Sequence, residues 1–186
     1  MIKIKRGQTR IVLIIGNWFV IKLPIIYLRA GLNNAFGSIK RGHFISHEIK
    51  KYNYLISGSV KRYLLAGLIN NWKEFRFYKK SKLPILMPTY FSFFGLFNIQ
   101  KAGQPISIKS VDLWCQLYGL TNGRIFDDSH TFNDPTNFCI ERGRLKIIDY
   151  GEEVHAVLTK YGYKIFNEFD FSYDWKIEKQ KLKEAE

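Results

Sequence analysis

Acidic residues are nearly absent from the first 73 positions of this 186-residue chain, which carry 13 Lys and Arg but a single acid, Glu48. Residues 74–186 hold 16 basic and 15 acidic residues, so almost all of the formal net charge of +13 lies in the first part. Such a surface attracts anions: nucleotide phosphates, a phosphorylated or acidic substrate, nucleic acid or an anionic membrane. A solvated basic face without a partner is the alternative interpretation.

Cysteine is also scarce. The two cysteines, Cys115 and Cys139, stand in apolar surroundings and do not have the spacing of a metal site. This pattern predicts buried free thiols in a reducing compartment, and so a cytoplasmic protein.

Long apolar runs are missing as well. Residues 11–28 are mostly apolar, but Gly16-Asn17, Lys22 and Pro24 interrupt them. A membrane-spanning helix needs ~20 uninterrupted apolar residues, and no cleavage-site pattern follows. We therefore predict no transmembrane span and instead two strands joined by a two-residue turn at Gly16-Asn17. The basic first part is also compatible with a peripheral position at the inner face of a membrane.

What is present is a large apolar content, with 46% hydrophobic and 16% aromatic residues, enough for the core of one domain. The hydrophobic patterns predict an α+β fold. The predicted strands are 1–5, 10–15, 18–23, 86–93 and 96–100, the predicted helices are 63–80, 108–120 and 154–161, and 163–169 is predicted to be extended. Residues 24–63 have no clear period and are predicted to form a loop with short helices, including 47–55, and residues 101–105 a polar linker.

Two of the predicted helices have an apolar stripe at three- and four-residue spacing, and the stripe of the second has the spacing of a core-facing surface. The stripes are Leu64, Leu68, Trp72 and Phe75 in the first helix and Val111, Trp114, Cys115 and Tyr118 in the second. Glu74 lies off its stripe, and Lys22 stands alone in an apolar strand. A solvated surface position is the default interpretation of both residues.

A hairpin is predicted after residue 125. Asn137 precedes the apolar run Phe138–Ile140, Gly143 suits the turn, and the return strand ends at Asp149. Asn137 and Asp149 are equidistant from Gly143, so we expect them to face each other at one end of the hairpin. An amide oxygen and a carboxylate in that position predict a Mg²⁺ site.

Four segments in this order resemble motifs of the protein-kinase-like superfamily. They are FVIKLP at 19–24, NNWKEFRFY at 70–78, HTFNDPTN at 130–137 and IIDYG at 147–151. They are similar, respectively, to the third-strand lysine motif, the regulatory helix, the catalytic loop and the metal-binding Asp-Phe-Gly. The resemblance covers roughly residues 1–152.

The resemblance implies one kinase-like domain, 1–186, with two lobes. Residues 1–100 would form the N-lobe, with a basic insert at 24–63, and residues 101–186 a small, truncated C-terminal lobe. It also implies roles for individual residues. Lys22 would hold the α- and β-phosphates of ATP, Glu74 would pair with Lys22, Val20 would line the adenine site, His130 would anchor the catalytic loop, and Asn137 and Asp149 would bind Mg²⁺.

The chain departs from the family pattern in its catalytic loop. Phe132 stands where the family has its catalytic aspartate. Asp134, two residues later, is the candidate base, with Asp127 and Asp128 as further candidates. There is also no glycine-rich phosphate loop, since Gly7 is alone between the first strands.

Only 35 residues follow Gly151, which is too few for the large helical lobe of eukaryotic-type kinases. The size of the domain is nearer to that of small bacterial sugar kinases and lipopolysaccharide-core kinases. The expected function is ATP- and Mg²⁺-dependent transfer of phosphate to a hydroxyl, on an anionic sugar, a glycolipid or a protein. A catalytically inactive pseudokinase that binds a nucleotide or a partner is the first alternative. A basic nucleic-acid-binding protein is the second, because aromatic and basic residues interleave in 18–80, although no nucleic-acid-binding motif accompanies them.

Overall fold

The computed structural model describes residues 2–42, 60–125, 132 and 134–174. In these ranges the protein is α+β, as predicted, with four α-helices and two antiparallel sheets. The helices are α1 (Leu28–Lys40), α2 (Val60–Ser81), α3 (Ser110–Leu120) and α4 (His155–Glu168). The strands are β1 (Ile2–Arg6), β2 (Arg10–Ile15), β3 (Phe19–Pro24), β4 (Thr89–Ser92), β5 (Asn98–Lys101), β6 (Gln104–Pro105), β7 (Phe138–Glu141) and β8 (Arg144–Ile147).

The chain divides into two compact units. The first consists of Met1–Phe75 and Thr89–Gln100, and the second of Arg76–Pro88 and Lys101–Glu186. Helix α2 belongs to both, since its residues 60–75 lie in the first unit and 76–81 in the second.

The first unit contains a five-stranded sheet in the order β1-β2-β3-β5-β4. The strands predicted for residues 11–28 are confirmed, but the turn between them has three residues and not two. Ile15 pairs with Phe19, and the Trp18 N–H donates to the Ile15 carbonyl at 3.2 Å. Gly16 has a φ of +54°, which glycine adopts without strain. Trp18 therefore belongs to the turn and not to β3.

The second unit contains the sheet β6-β7-β8. Arg142 and Gly143 both have positive φ, 51° and 72°, as a two-residue type I′ hairpin turn requires. This turn is centred between the two residues, so Asn137 lies opposite Ile148, whose N–H donates to the Asn137 carbonyl at 2.8 Å. The predicted facing of Asn137 and Asp149 is thus wrong by one residue. The predicted linker 101–105 also contributes β6, which pairs with β7.

Helix α1 lies within residues 24–63, where the sequence showed no clear period. The helix predicted at 47–55 lies outside the described residues. Helix α4 continues to Glu168, so the extended segment predicted at 163–169 is wrong. Gly162 does not break this helix. It lies where α4 approaches Ile85, whose Cγ2 would be 3.2 Å from an added Cβ.

The apolar stripes of α2 and α3 are not the most buried faces of these helices, although Trp114 packs against the core as expected. Among the α2 residues whose burial is described, the buried ones are Ala66, Gly67, Asn71 and Glu74, and in α3 they are Asp112, Leu113, Gln116 and Leu117. Val111 and Tyr118, both predicted to face the core, are exposed. Both buried faces carry polar side chains, which a count of apolar residues does not register. In the part of the chain that the structure describes, no helix is long and apolar enough to cross a membrane.

Substitution of two helical glycines tests how closely α2 packs on the first sheet. In α2, an added Cβ on Gly67 would press on the Thr9 carbonyl and lie 2.7 Å from the Pro24 Cβ, whereas Gly119 in α3 has no atom within 4 Å. We expect Gly67→Ala to lower the free energy of unfolding by about 1–3 kcal/mol through overpacking. Gly119→Ala should raise it by roughly 0.5–1 kcal/mol. Urea denaturation measures both, and changes of the same sign would contradict the packing of α2 on β2 and β3.

Candidate functional site

The Lys22 amine and the Glu74 carboxylate form a buried ion pair. Lys22 Nζ lies 2.6 Å from Glu74 Oε1, and the two side chains are 5% and 0% exposed. Lys22 projects from the middle of β3, and Glu74 from α2, 52 residues further along the chain. The pairing implied by the kinase resemblance is confirmed, and the solvated interpretation is wrong for both residues. Val20, the predicted adenine contact, is half-buried two residues before Lys22 and so on the same face of β3.

Arg10 is a third member of this cluster that was missed in the sequence. Its Nη1 lies 2.8 Å from Glu74 Oε2, so each carboxylate oxygen is bound by a different cation. Arg10 pairs with Pro24 and Val12 pairs with Lys22, which places Arg10 and Lys22 on the same face of the sheet. In the sequence, Arg10 is recognisable only as an arginine at the start of an otherwise apolar strand. The strand register is needed to place it beside Lys22.

Glu74 is the only acidic residue in the described part of the first unit. That unit therefore contributes two cations and one carboxylate to the cluster. Buried charges need both partners and hydrogen bonds, because desolvation opposes their ionisation.

Asn71 fixes the helix that carries Glu74. Its Nδ2 donates to the carbonyl of Lys22 at 3.1 Å and to that of Gly95 at 2.9 Å. Asn98 in turn donates from Nδ2 to the Asn71 carbonyl at 2.8 Å. Asn71 lies three residues before Glu74, on the same side of the helix. These bonds tie α2 to β3, to the turn between β4 and β5, and to β5, and so orient Glu74 toward Lys22.

In the second unit, Asn137 and Asp149 stand at one end of the β7–β8 hairpin. Asn137 ends a short 3₁₀ turn, Pro135–Asn137, and Asp149 follows Ile148, the residue hydrogen-bonded to Asn137. Both side chains are half-buried and carry oxygen donors suited to a hard cation. Among the residues that the structure covers, no three His, Cys, Asp or Glu residues form a metal-binding cluster. Two protein oxygens are enough for Mg²⁺, which usually keeps several waters and binds substrate phosphates.

The residue after Asp149 is held rigidly. Tyr150 is fully buried, and its hydroxyl donates to the Met87 carbonyl at 3.0 Å. His155 Nε2 lies 3.1 Å from the Tyr150 carbonyl oxygen, and its ring stacks on Phe77 with centroids 3.7 Å apart. Tyr150, the residue next to Asp149, is thus anchored through both its side chain and its backbone.

Phe132 and Asp134 are the described residues that decide the candidate base. Phe132 is 0% exposed in the hydrophobic core of the second unit, so this position of the loop is occupied by a core side chain. Asp134 is exposed, and its Oδ1 accepts hydrogen bonds from the Thr136 N–H at 2.8 Å and the Thr136 hydroxyl at 2.7 Å. His130, Asp127 and Asp128 lie outside the described residues.

The cysteines do not add a nucleophile. Both are free thiols, Cys139 is buried and Cys115 is half-buried. Burial, together with the nearby Asp112 carboxylate, raises the pKa of the Cys115 thiol above its ordinary value. A raised pKa leaves little thiolate at neutral pH, so Cys115 is a poor candidate for covalent chemistry.

Comparisons with protein-family models, with curated proteins and with solved structures found no match to this chain. The functional conclusion therefore depends on two groups of its own residues. Arg10, Lys22 and Glu74 form the ion-paired cluster of the first unit, and Asn137 and Asp149 stand at one end of the β7–β8 hairpin in the second.

Loss of Glu74 should lower the free energy of unfolding more than loss of Lys22. Glu74→Gln removes the carboxylate that both Arg10 and Lys22 bind, and we expect a loss of about 3–5 kcal/mol in the free energy of unfolding. Lys22→Met should lose clearly less, because Arg10 still neutralises Glu74. Urea denaturation at neutral pH compares the two variants. Equal losses would mean that Arg10 does not compensate for the missing lysine.

Proposed function

We propose that this protein is an ATP- and Mg²⁺-dependent phosphotransferase with a two-lobed, kinase-like fold and a reduced second lobe. The observation that carries this proposal is the 2.6 Å ion pair of Lys22 and Glu74, buried between a central strand and the helix α2. It joins the two residue types, in the order and on the element types, that the family resemblance implies.

Stability alone does not explain why a buried ion pair is present. A well-packed apolar pair is often as stable, because desolvation offsets the attraction of the charges. A lysine amine held at a defined position by a carboxylate is instead useful for binding phosphate oxygens. Arg10 supports this use, since it binds Oε2 of Glu74 and so helps to hold the carboxylate whose Oε1 accepts from the Lys22 amine.

The remaining parts of the proposed reaction are assigned to the second unit. Asn137 and Asp149 would hold Mg²⁺, which supplies neutralisation of the charge on the transferring phosphate. Lys22 would bind the α- and β-phosphates, and Val20 would contact the adenine. Phosphoryl transfer requires mainly positioning and electrostatic stabilisation, which these residue types provide.

Asp134 is the proposed base for the acceptor hydroxyl. Both hydrogen bonds from Thr136 end on Oδ1, so the carboxylate is oriented, and Oδ2 would take the proton of the acceptor hydroxyl. The acceptor would be an anionic sugar, a glycolipid or a protein, and the excess of basic residues in 1–73 favours an anionic one.

A nucleotide-binding protein without turnover is the second candidate function. The burial of Phe132 favours it, since an aromatic core residue replaces the carboxylate that the family uses at that place in the loop. The two candidates agree on nucleotide binding and differ only in chemistry, so binding and turnover are tested separately.

Mg·ATP is expected to raise the melting temperature. At about 100 times Kd, one bound ligand adds about 2.7 kcal/mol, or a shift of roughly 5–10 °C for a chain of this size. Lys22→Met and Asp149→Ala should each abolish the shift, measured against the same variant without nucleotide.

Lys160→Met and Asp170→Ala are the matched controls, because both positions are exposed and neither belongs to the residues proposed to bind nucleotide or Mg²⁺. Both controls should keep the wild-type shift. The absence of any thermal response to nucleotides with Mg²⁺ or Mn²⁺ would rule out both candidate functions.

Turnover is tested by a pair of aspartates with the same local geometry. Asp170 Oδ1 accepts from the Ser172 N–H at 2.8 Å and the Ser172 hydroxyl at 2.7 Å, as Asp134 does from Thr136. These bonds from Ser172 hold the pKa of Asp170 below its ordinary value. If Asp134 is the base, Asp134→Asn should reduce ATP turnover by about 10²–10⁴-fold, while Asp170→Asn leaves it unchanged.

Nucleotide binding by the Asp134→Asn protein should persist in the thermal-shift measurement. Equal turnover of the two Asn variants would exclude Asp134 as the base. Binding by the wild-type protein without any turnover would favour the second candidate function.

A further inference from the structure

Helix α1 exposes its large apolar side chains. Leu28, Leu32, Phe36 and Ile39 are 63%, 51%, 67% and 56% exposed, respectively. Their spacing of four, four and three residues places them on one stripe of the helix, which we call the outer stripe. In a water-exposed domain the apolar stripe of an amphipathic helix normally packs against the core. In α1 it is exposed instead.

The inward side of α1 contains a glycine in close contact with α2. Gly31 is buried against α2, and an added Cβ there would lie 2.8 Å from Leu64 Cδ2. The Tyr27 N–H donates to the Tyr63 carbonyl at 2.9 Å, and the Tyr27 hydroxyl donates to the Gln8 carbonyl at 2.9 Å. These contacts hold the first turn of α1 against α2 and against the loop before β2, with Gly31 inward and the outer stripe outward.

Basic residues border the outer stripe. Arg29, Lys40 and Arg41 are exposed, and α1 contains no acidic residue. In the described part of the first unit the single acid is Glu74, which is fully buried. No exposed carboxylate of that part of the unit therefore opposes an anionic partner.

We propose that α1 is an interfacial helix, by which the protein binds the surface of an anionic lipid bilayer. The outer stripe would enter the boundary between headgroups and acyl chains, and Arg29, Lys40 and Arg41 would contact the anionic headgroups. This proposal does not depend on the proposed phosphotransferase activity.

Charge and side-chain chemistry distinguish a bilayer from other partners. A second copy of this chain would bring the same basic residues against themselves, and like charges repel. Nucleic acid would satisfy the basic residues but would not bury leucine and isoleucine, since single strands are bound by stacking on aromatic rings. In the outer stripe only Phe36 is aromatic. A bilayer interface takes up the apolar and the basic residues together.

Vesicle co-sedimentation of the full chain tests the proposal. The wild-type protein should partition onto phosphatidylcholine vesicles that contain phosphatidylglycerol, and only weakly onto phosphatidylcholine alone. The double variant Leu32→Gln/Phe36→Gln should reduce partitioning on the order of 100-fold, because two apolar side chains lose their burial. The triple variant Arg29→Gln/Lys40→Gln/Arg41→Gln should lose roughly fivefold per residue, and added salt should weaken wild-type binding more than that of the triple variant.

Val111→Gln is the matched control, since Val111 is an equally exposed apolar residue on another helix, 57% exposed. It should bind vesicles as the wild type does. All variants should keep the wild-type melting temperature, because each changed side chain is exposed.

Failure of the wild-type protein to bind anionic vesicles would overturn the proposal, as would unchanged binding by Leu32→Gln/Phe36→Gln. A fall in the melting temperature of that variant with unchanged vesicle binding would assign the outer stripe to a contact within the chain. A wild-type dimer that the same variant converts to a monomer, again without an effect on vesicles, would assign it to a second copy.

Discussion

The Glu74 carboxylate is the point on which the arrangement of the first unit depends. One oxygen binds Lys22 from β3 and the other binds Arg10 from β2, so a single side chain joins the helix to two strands. The register of β2 against β3 is what brings both cations to the same face. Asn71 then sets the rotation of α2 that points Glu74 at them. A buried carboxylate is tolerated here because both of its oxygens are satisfied by charged donors.

Polar residues on buried faces explain where the prediction of the fold failed. The extent of α2 was predicted closely from its apolar period, yet its buried face carries Asn71 and Glu74. The same error occurred in α3, where Gln116 is buried because its amide bonds both the N–H and the carbonyl of Asp170. Hydrophobic periodicity finds a helix reliably, but it finds the buried face only when that face is apolar.

The residues of the candidate site that belong to a sequence motif were predicted. Those whose position depends on strand register were not. The pairing of Lys22 with Glu74 followed from the resemblance and is confirmed. The hairpin that carries Asn137 and Asp149 was also predicted, but its register was not, because the type I′ turn at Arg142-Gly143 shifts the partner of Asn137 to Ile148. Arg10 was missed because nothing adjacent to it in the chain marks it as a partner of Glu74, 64 residues away.

By itself the sequence determined the α+β class, the strand at 10–15, the long helix before residue 81 and the concentration of positive charge in the first 73 residues. These properties are encoded in composition and in patterns a few residues long. Only the tertiary structure decided that Glu74 is buried between two cations, that Phe132 fills the core and that α1 turns its apolar stripe outward. Each of these depends on neighbours that are distant in the chain, such as Leu64 for Gly31. Burial is a property of those contacts and not of the local pattern.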